Sequence, residues 1–460
     1  MVQLLPFRGL RYNPAKVSSL QAVVAPPYDV INEAMQAQLY AADPANIVRL
    51  DLGKKTDDDS VHENVYTRAA QTLRSWQKDS VVLPEARPAV YAYSQQWRDD
   101  DGEHDRKGMV ALIKLEEFES GQVLPHEFTL KGPKLDRMNL SKATMANLSQ
   151  IFMIYADPKR VMEGVLFPPG TYEADEWQQV TAHDGVSHRF RPVTDEAAIA
   201  KLQDLMATQT LLIADGHHRY ETALAFKQEV RDALRQKTGS VPPDGALLSD
   251  YLMVFMANLH DPGLQVFPTD RVIYDWPAGW TQERFESALF STFQEVTEGE
   301  DFSYQTPGKP PVKLKLTDAG KLNALPTEKL KQFDCAVLEE AVFKGIFALP
   351  GEALKADHKL GFYRDPAAVS AMLEKKDIQA VFWMDTPPLE LIRDICLSGH
   401  RMPQKSTYFF PKILTGLVLY SYQSFPAGGH GLSETQGVEA QPVDTVLFDA
   451  FNPQLALVPD

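Results

Sequence analysis

The sequence predicts an α+β protein built from more than one domain. Three observations carry that expectation. Short strands and helices alternate through the first hundred residues, an apolar run meets a long helix directly in TLLIADGHHRYETALAF (residues 210–226), and residues 275–395 read as a separate mixture of strands and helices. The 460 residues are 44% hydrophobic, 10% aromatic and 23% charged, enough apolar material for a large core.

In order, LQAVVAPPYDVI (20–31) reads as a strand broken by Pro26-Pro27, then a turn at Tyr28-Asp29. The proline turn presents Asp29 as scaffold or as chemistry. Val61, Val65, Ala69, Leu73 and Trp76 recur at helical spacing. PAVYAYSQQW (88–97) and GMVALIKLEEF (108–118) alternate as strands around an acidic hairpin tip. A polar loop, a helix and a return strand follow up to Asp157-Pro158, then a connection and a helix around Glu196–Ala207. After the 210–226 stretch come two strands joined by the Asp261-Pro262-Gly263 turn. PVKLKLTD (311–318), EKLKQFDCAVLEEAVF (328–343) and IQAVFWMD (378–385) read as strand, helix and strand. The tail has a polar cluster at MPQKSTYFFPK (402–412), a helix-like apolar run (Ile413, Leu414, Leu417, Val418) and a loose acidic end.

The formal net charge of −16 is opposite to a nucleic-acid footprint, so positive charge is expected only where an anion binds. Cys335 and Cys396 are too few for a disulfide framework or a zinc cluster, which suits a reducing cytosol. The opening residues are too interrupted for a signal peptide, and no stretch approaches the roughly 18 apolar residues of a membrane span. A cytoplasmic protein without nucleic-acid or membrane partners is expected; its oligomeric state is left open.

The 210–226 stretch concentrates chemistry. A helix N-terminus carries unpaired N–H groups and roughly half a positive charge. Gly216 permits close backbone approach, and Arg219 offers a fork to phosphate or carboxylate. With His217 and His218 on the same first turn, the stretch reads as a phosphate cradle. Asp215 serves as its N-cap or faces the ligand through a bound cation. The plain alternative is an Asp-Gly hairpin turn, against which the following helical periodicity argues; zinc on the adjacent histidines would lack a third ligand.

Elsewhere, Glu127 in LPHEFT is a general base or a loop carboxylate pairing Lys131 or Lys134. Lys405, Ser406 and Thr407 suit an anion or form a solvated loop, without the glycines of a P-loop. A triphosphate needs more cation than Arg219 alone, so Lys405 is expected to face the same cleft as His218 and Arg219.

Taken together, LPFRGLRYNP, APPYDVI, LPHEFT…DRMNL, IADGHHRYETAL, NLHDPGL…PTDRVI and KSTYFFPKILTGLV resemble the "domain of unknown function 1015" proteins, from about residue 4 to about residue 425. The DGHHR segment is similar to the nucleotide loop of the ParB/sulfiredoxin-like fold of free-serine kinases. That resemblance implies a ParB/sulfiredoxin-like core over 105–270, with an insertion near 157–195. An N-terminal α/β segment (1–104) and a C-terminal α+β segment (271–460) flank it. It implies phosphate transfer from ATP or ADP, with Mg²⁺, to a small hydroxy-amino acid, foremost L-serine giving O-phosphoserine. The candidate catalytic residues are Glu127, Asp215 and His218, with Asp215 also the metal ligand. Gly216, His217, His218, Arg219, Lys405, Ser406 and Thr407 are the phosphate-binding candidates, and His126, Asp29 and Arg137 the substrate-binding ones. A nucleotide-binding regulatory module and a phosphatase or nucleotidase using the same cradle stay open beside this reading.

Overall fold

The computed structural model describes residues 1–128, 132–173 and 176–423. Thr129, Lys131 and the acidic end expected to be loose lie outside them. The fold is α+β and divides into two compact units. One comprises Met1–Leu124, Leu130–Leu264 and the chain from Pro411 onward; the other comprises Pro125–Thr129 and Gln265–Phe410.

The first unit is organised on one nine-stranded sheet. Its strands run in the order Val123–Pro125, Leu211–Asp215, Ile151–Tyr155, Tyr251–Asn258, Gly102–Lys114, Val90–Asp99, Ser187–Val193 and Gln178–Thr181, with Leu4–Leu5 also paired to Gly102–Lys114. Strands from both sides of residue 104 thus share one sheet. Tyr251–Asn258 is parallel to Ile151–Tyr155, and Leu211–Asp215 is antiparallel to it with a register shift between Ile213 and Asp215. A continuous run such as YLMVFMAN is buried at every position because both faces of a central strand are covered.

The helix His217–Thr238 lays Tyr220 and Ala223 on the core formed by Met109, Ile151, Ile213 and Val254. Gly239, left-handed at φ +76°, ends it by taking its N–H to Arg235 O at 2.9 Å. The helix Gly132–Thr144 packs against it and against Val65–Lys78. Val65–Lys78 starts at Asn64, whose side chain accepts from the Tyr66 and Thr67 N–H groups; Val61 therefore falls outside the helix and is exposed.

Several local expectations are corrected. Residues 20–23 form a short helix rather than a strand, because Ser19 caps it by accepting from Ala22 N–H. The apolar run at 413–418 is not helical. Thr415 and Leu419 pair their backbones with Ala25 and Leu10, and between them the chain bends at Gly416 (φ +100°) beside Ile47. The strand Tyr251–Asn258 belongs to the first unit, whereas the strand after the Asp261 turn, Gln265–Phe267, pairs Tyr408–Phe410 in the second.

The second unit holds a six-stranded antiparallel sheet ordered Phe293–Glu295, Val312–Leu316, Phe302–Gln305, Ala380–Trp383, Asp270–Ile273 and Leu360–Tyr363. Its core includes Val272, Val369 and Val381, with aromatic packing around Phe285, Phe302 and Phe382. The single helix expected over 328–343 is broken into Glu328–Lys331, Asp334–Val337 and a π-helical segment, Leu338–Lys344.

Candidate functional site

In the first unit, the strand Leu211–Asp215 ends at Gly216, which is left-handed (φ +95°) and stands at the N-cap of His217–Thr238. Asp215 is therefore not the N-cap. It is the last strand residue, and its carboxylate receives the Lys412 ammonium at 2.6 Å. Two features favour glycine at 216. Its φ is one that side-chain-bearing residues rarely adopt, and a Cβ there would stand 3.0 Å from the Arg219 guanidinium. Having no side chain, Gly216 caps none of the amides of the first turn.

Arg219 folds back over that turn. Its Nη1 donates to Ser149 Oγ at 3.2 Å and to the Gln150 carbonyl at 2.5 Å. Among the described residues no carboxylate lies within ion-pair distance of it. The guanidinium thus sits at the positive end of a helix, where a cation is unfavourable without an anion beside it. His217 is buried, while His218 is half-buried and its carbonyl accepts from Thr222 Oγ1 at 2.7 Å.

Arg219 and Arg137 line one hollow of about 40 Å³ together with Asp51 and Ser149. Arg137 is buried, pairing Asp51 at 2.9 Å and Asp136 at 2.5 Å, with its guanidinium 4.0 Å from the Tyr28 ring centre. Burial pushes the Asp51 carboxyl up, and the charges of Arg137 and Arg219 oppose this. Burial likewise raises the Tyr28 hydroxyl against the same two guanidiniums. Asp51 Oδ2 and Gln150 Nε2 are buried without a hydrogen-bond partner among the described residues, polar atoms of the kind a ligand or a water satisfies. The substrate candidate Arg137 is thus the centre of a buried ion network. Asp29, on the 3₁₀ turn Tyr28–Val30, is exposed.

Lys412 reaches Asp215 because its own backbone is anchored. Gln95 Nε2 donates to the Lys412 carbonyl at 2.8 Å, and the fully buried Arg106 donates to the Pro411 carbonyl and to Gln95 Oε1. Tyr93, whose hydroxyl accepts from Leu414 N–H at 3.3 Å, is bonded to His188 at 2.7 Å. Burial drives His188 down to about 3, so it is neutral there. Sequence reasoning had no signal for Asp51, Ser149, Gln150 or Arg106, which the tertiary fold sets beside Arg137, Arg219 and Gln95.

The second unit contains the other cluster. Glu127 pairs its backbone with Met402, and its carboxylate accepts from the amides of Lys405 (3.0 Å), Ser406 (3.0 Å) and Thr407 (3.3 Å). Lys405 is left-handed (φ +55°), so three successive N–H groups converge on one anion in a backbone nest. His126 is buried, with Nε2 at 2.8 Å from Thr407 Oγ1 and 3.2 Å from Glu127 Oε1. Ser406 is buried and donates to the Pro403 carbonyl, while the Lys405 side chain is exposed. The amides of 405–407 are therefore occupied by an internal carboxylate, and anion binding by this loop would rest on the Lys405 ammonium. Lys134, one partner considered for Glu127, instead pairs Glu221.

Among the described residues no three His, Cys, Asp or Glu side chains gather into a metal-binding group. Nor is any helix there long and apolar enough to cross a membrane.

Residues 4–385 match the family described as "Protein of unknown function (DUF1015)", and the chain belongs to that family. No curated protein matches it. Solved structures similar to it include a conserved hypothetical protein from Pyrococcus furiosus, 16% identical, covering 66% of this chain and 92% of that one at a TM-score of 0.33. A free serine kinase in complex with AMP is 12% identical, covering 67% and 92%, at a TM-score of 0.33. SbnI with a C-terminal truncation, from Staphylococcus aureus, is 11% identical, covering 66% and 85%, at a TM-score of 0.33.

Proposed function

We propose that this DUF1015 protein is a small-molecule phosphotransferase that binds the phosphates of ATP or ADP at the turn 215–219. In this reading it passes a phosphoryl group to a hydroxyl, foremost that of free L-serine. The observation that carries the reading is Arg219. Its guanidinium is anchored on Ser149 and Gln150, laid over a glycine at an uncapped helix start, and paired with no carboxylate among the described residues. A polyphosphate supplies the missing negative charge for both the helix end and the guanidinium.

Phosphoryl transfer needs charge neutralisation and in-line positioning more than covalent chemistry. In this reading the amides after Gly216 and the Arg219 fork hold the phosphates. Mg²⁺ is commonly held by one or two carboxylates together with substrate phosphates and water. Asp215 offers one carboxylate, whose Lys412 partner would exchange for the ion. Bound there, the ion would supply charge neutralisation at the phosphates. His218 borders the same turn, and Glu127 is carried as the base for the acceptor hydroxyl.

The deciding experiment incubates the full chain with ATP, Mg²⁺ and L-serine, and follows O-phosphoserine by ³¹P NMR, with Arg219→Ala as control. Phosphoserine formed by the wild-type chain and lost in the variant supports the reading. ATP binding without product would favour a regulatory module, and phosphate release without an acceptor a phosphatase. Either outcome overturns the kinase assignment.

A further inference from the structure

The second unit contains a cleft of about 480 Å³ that no sequence motif singled out, within the roughly 300–1,000 Å³ of small-ligand sites. Part of its wall is the π-helical segment Leu338–Lys344, which contributes Glu339, Glu340 and Phe343. π-helical turns are rare and recur at functional sites. Leu325, Leu330, Leu360 and Phe362 give the wall an apolar stretch, beside polar residues that include Glu352, His400 and Arg401.

Two cations of this cleft stand beside the same aromatic ring. The Arg271 guanidinium lies 5.4 Å from the Phe362 ring centre, and the Lys355 ammonium 5.3 Å from the same centre. Arg271 is only 2% exposed, yet its partners are carbonyls, those of Thr269, Gln404 and Lys405. Among the described residues neither cation forms an ion pair with a carboxylate, although the cleft contains acids. Glu340 is engaged by Lys344, and Glu339 accepts the Gly351 N–H at 3.2 Å. Burial and the neighbouring Lys405 charge push the Lys355 ammonium down from its ordinary range. Glu339, Asp334 and Asp270 act on Arg271 through their charge, but none of them contacts it directly, so a carboxylate set against the guanidinium and the half-buried amine would add the direct pairing both lack.

We infer that this cleft is a binding site for a small organic carboxylate with an apolar body. Its carboxylate would lie between Arg271 and Lys355, and its body against Phe343, Leu360 and Phe362. The inference is independent of phosphoryl transfer at residues 215–219. It also gives the cleft an outlet, because Arg271 holds the carbonyls of Gln404 and Lys405, and Glu127 holds the amides of Lys405 and Ser406. A ligand that draws on Arg271 is felt in that loop.

The test uses the full chain with 3-phenylpropanoate, 4-methylpentanoate, their primary amides and phenyl phosphate, titrated by ligand-observed NMR. The carboxylates are expected to bind at least about tenfold more tightly than their amides, the loss of one charged hydrogen bond. Lys355→Gln should remove most of that preference while leaving amide binding unchanged. It avoids the buried Arg271, whose replacement risks misfolding. In the wild-type chain, saturation should also shift the amide resonances of Lys405 and Ser406. Equal binding of acid and amide, saturation unaltered in Lys355→Gln, tighter binding of phenyl phosphate, or no binding by any probe would each overturn the assignment.

Discussion

The turn at 215–219 and the loop at 405–407 look alike on paper, since each sets a cation beside backbone amides and hydroxyl or imidazole groups. In the structure they differ in where the negative charge comes from. The amides of Lys405, Ser406 and Thr407 converge on Glu127, an anion supplied by the chain itself. The start of His217–Thr238 has no side-chain cap, and Arg219 beside it has no carboxylate partner among the described residues. A nest already filled has no amide left for an external anion, whereas the turn at 215–219 still lacks one, and the phosphate site proposed there rests on that difference.

The largest effect expected from breaking the comparison is at Glu127. With Glu127 as the base for the acceptor hydroxyl, Glu127→Gln lowers serine phosphorylation per folded molecule by about 10²–10⁴-fold, beyond the stability lost when an NH2 replaces one of the two oxygens that accept backbone N–H groups. If turnover per folded molecule is unchanged and only thermal stability falls, Glu127 is confined to holding the loop. Glu127→Ala, which leaves three amides without their acceptor, should cost on the order of 1–3 kcal/mol of stability for each group left buried and unpaired. Chemical denaturation reads that loss.

Next in size is Arg219→Ala, expected to weaken ATP or ADP binding by about 1.5–3 kcal/mol in isothermal titration. Arg219→Lys should recover only part of this, because an ammonium cannot reproduce the fork. Nucleotide affinity that ignores both changes would remove the turn from the comparison.

A third test contrasts two buried carboxyls. Asp51 in the first unit pairs with Arg137, whereas Asp270 in the second accepts only the Met384 N–H at 3.0 Å among the hydrogen bonds of the described residues. Burial pushes Asp270 up to about 6 from an ordinary 3.8, against that N–H and the Arg271 charge. With the folded value above the unfolded one, its contribution is full below about pH 4 and lost as pH rises through about 6. Asp270→Asn keeps an acceptor oxygen and removes the titration. Relative to wild type it should gain on the order of 1–2 kcal/mol between pH 5 and 7.5, read from melting curves at both values. A parallel pH dependence in the two proteins would contradict this.

The smallest expected effect is at Gly216. Gly216→Ala must hold a φ of +95° and set its Cβ against the flexible end of Arg219, where Gly121→Ala (φ +69°) meets nothing within 4 Å. The left-handed conformation costs both variants about 1 kcal/mol. Only Gly216→Ala should also weaken nucleotide binding, by displacing the guanidinium. Equal nucleotide affinities in the two variants would show that Arg219 does not depend on the turn.

What the sequence determined by itself is local. The helix Glu196–Ala207 and the strand-glycine-helix order at 211–238 were legible because apolar spacing, an N-cap Asp195 and the Gly239 terminus act within a few residues of one another. The α+β class and the family followed from such stretches in series. Tertiary structure decided the partners. Asp215 reads as an N-cap until Lys412, almost two hundred residues later, is placed on its carboxylate by Gln95 and Arg106. Glu127 reads as a general base or a loop carboxylate pairing Lys131 or Lys134 until the 405–407 amides close on it. The run at 413–418 has helical spacing, yet backbone pairing of Thr415 and Leu419 with Ala25 and Leu10 keeps it out of a helix. The physical reason is common to all three. A charge or an unpaired amide lowers its free energy by meeting its complement wherever the folded chain brings one, and sequence spacing carries no record of that distance.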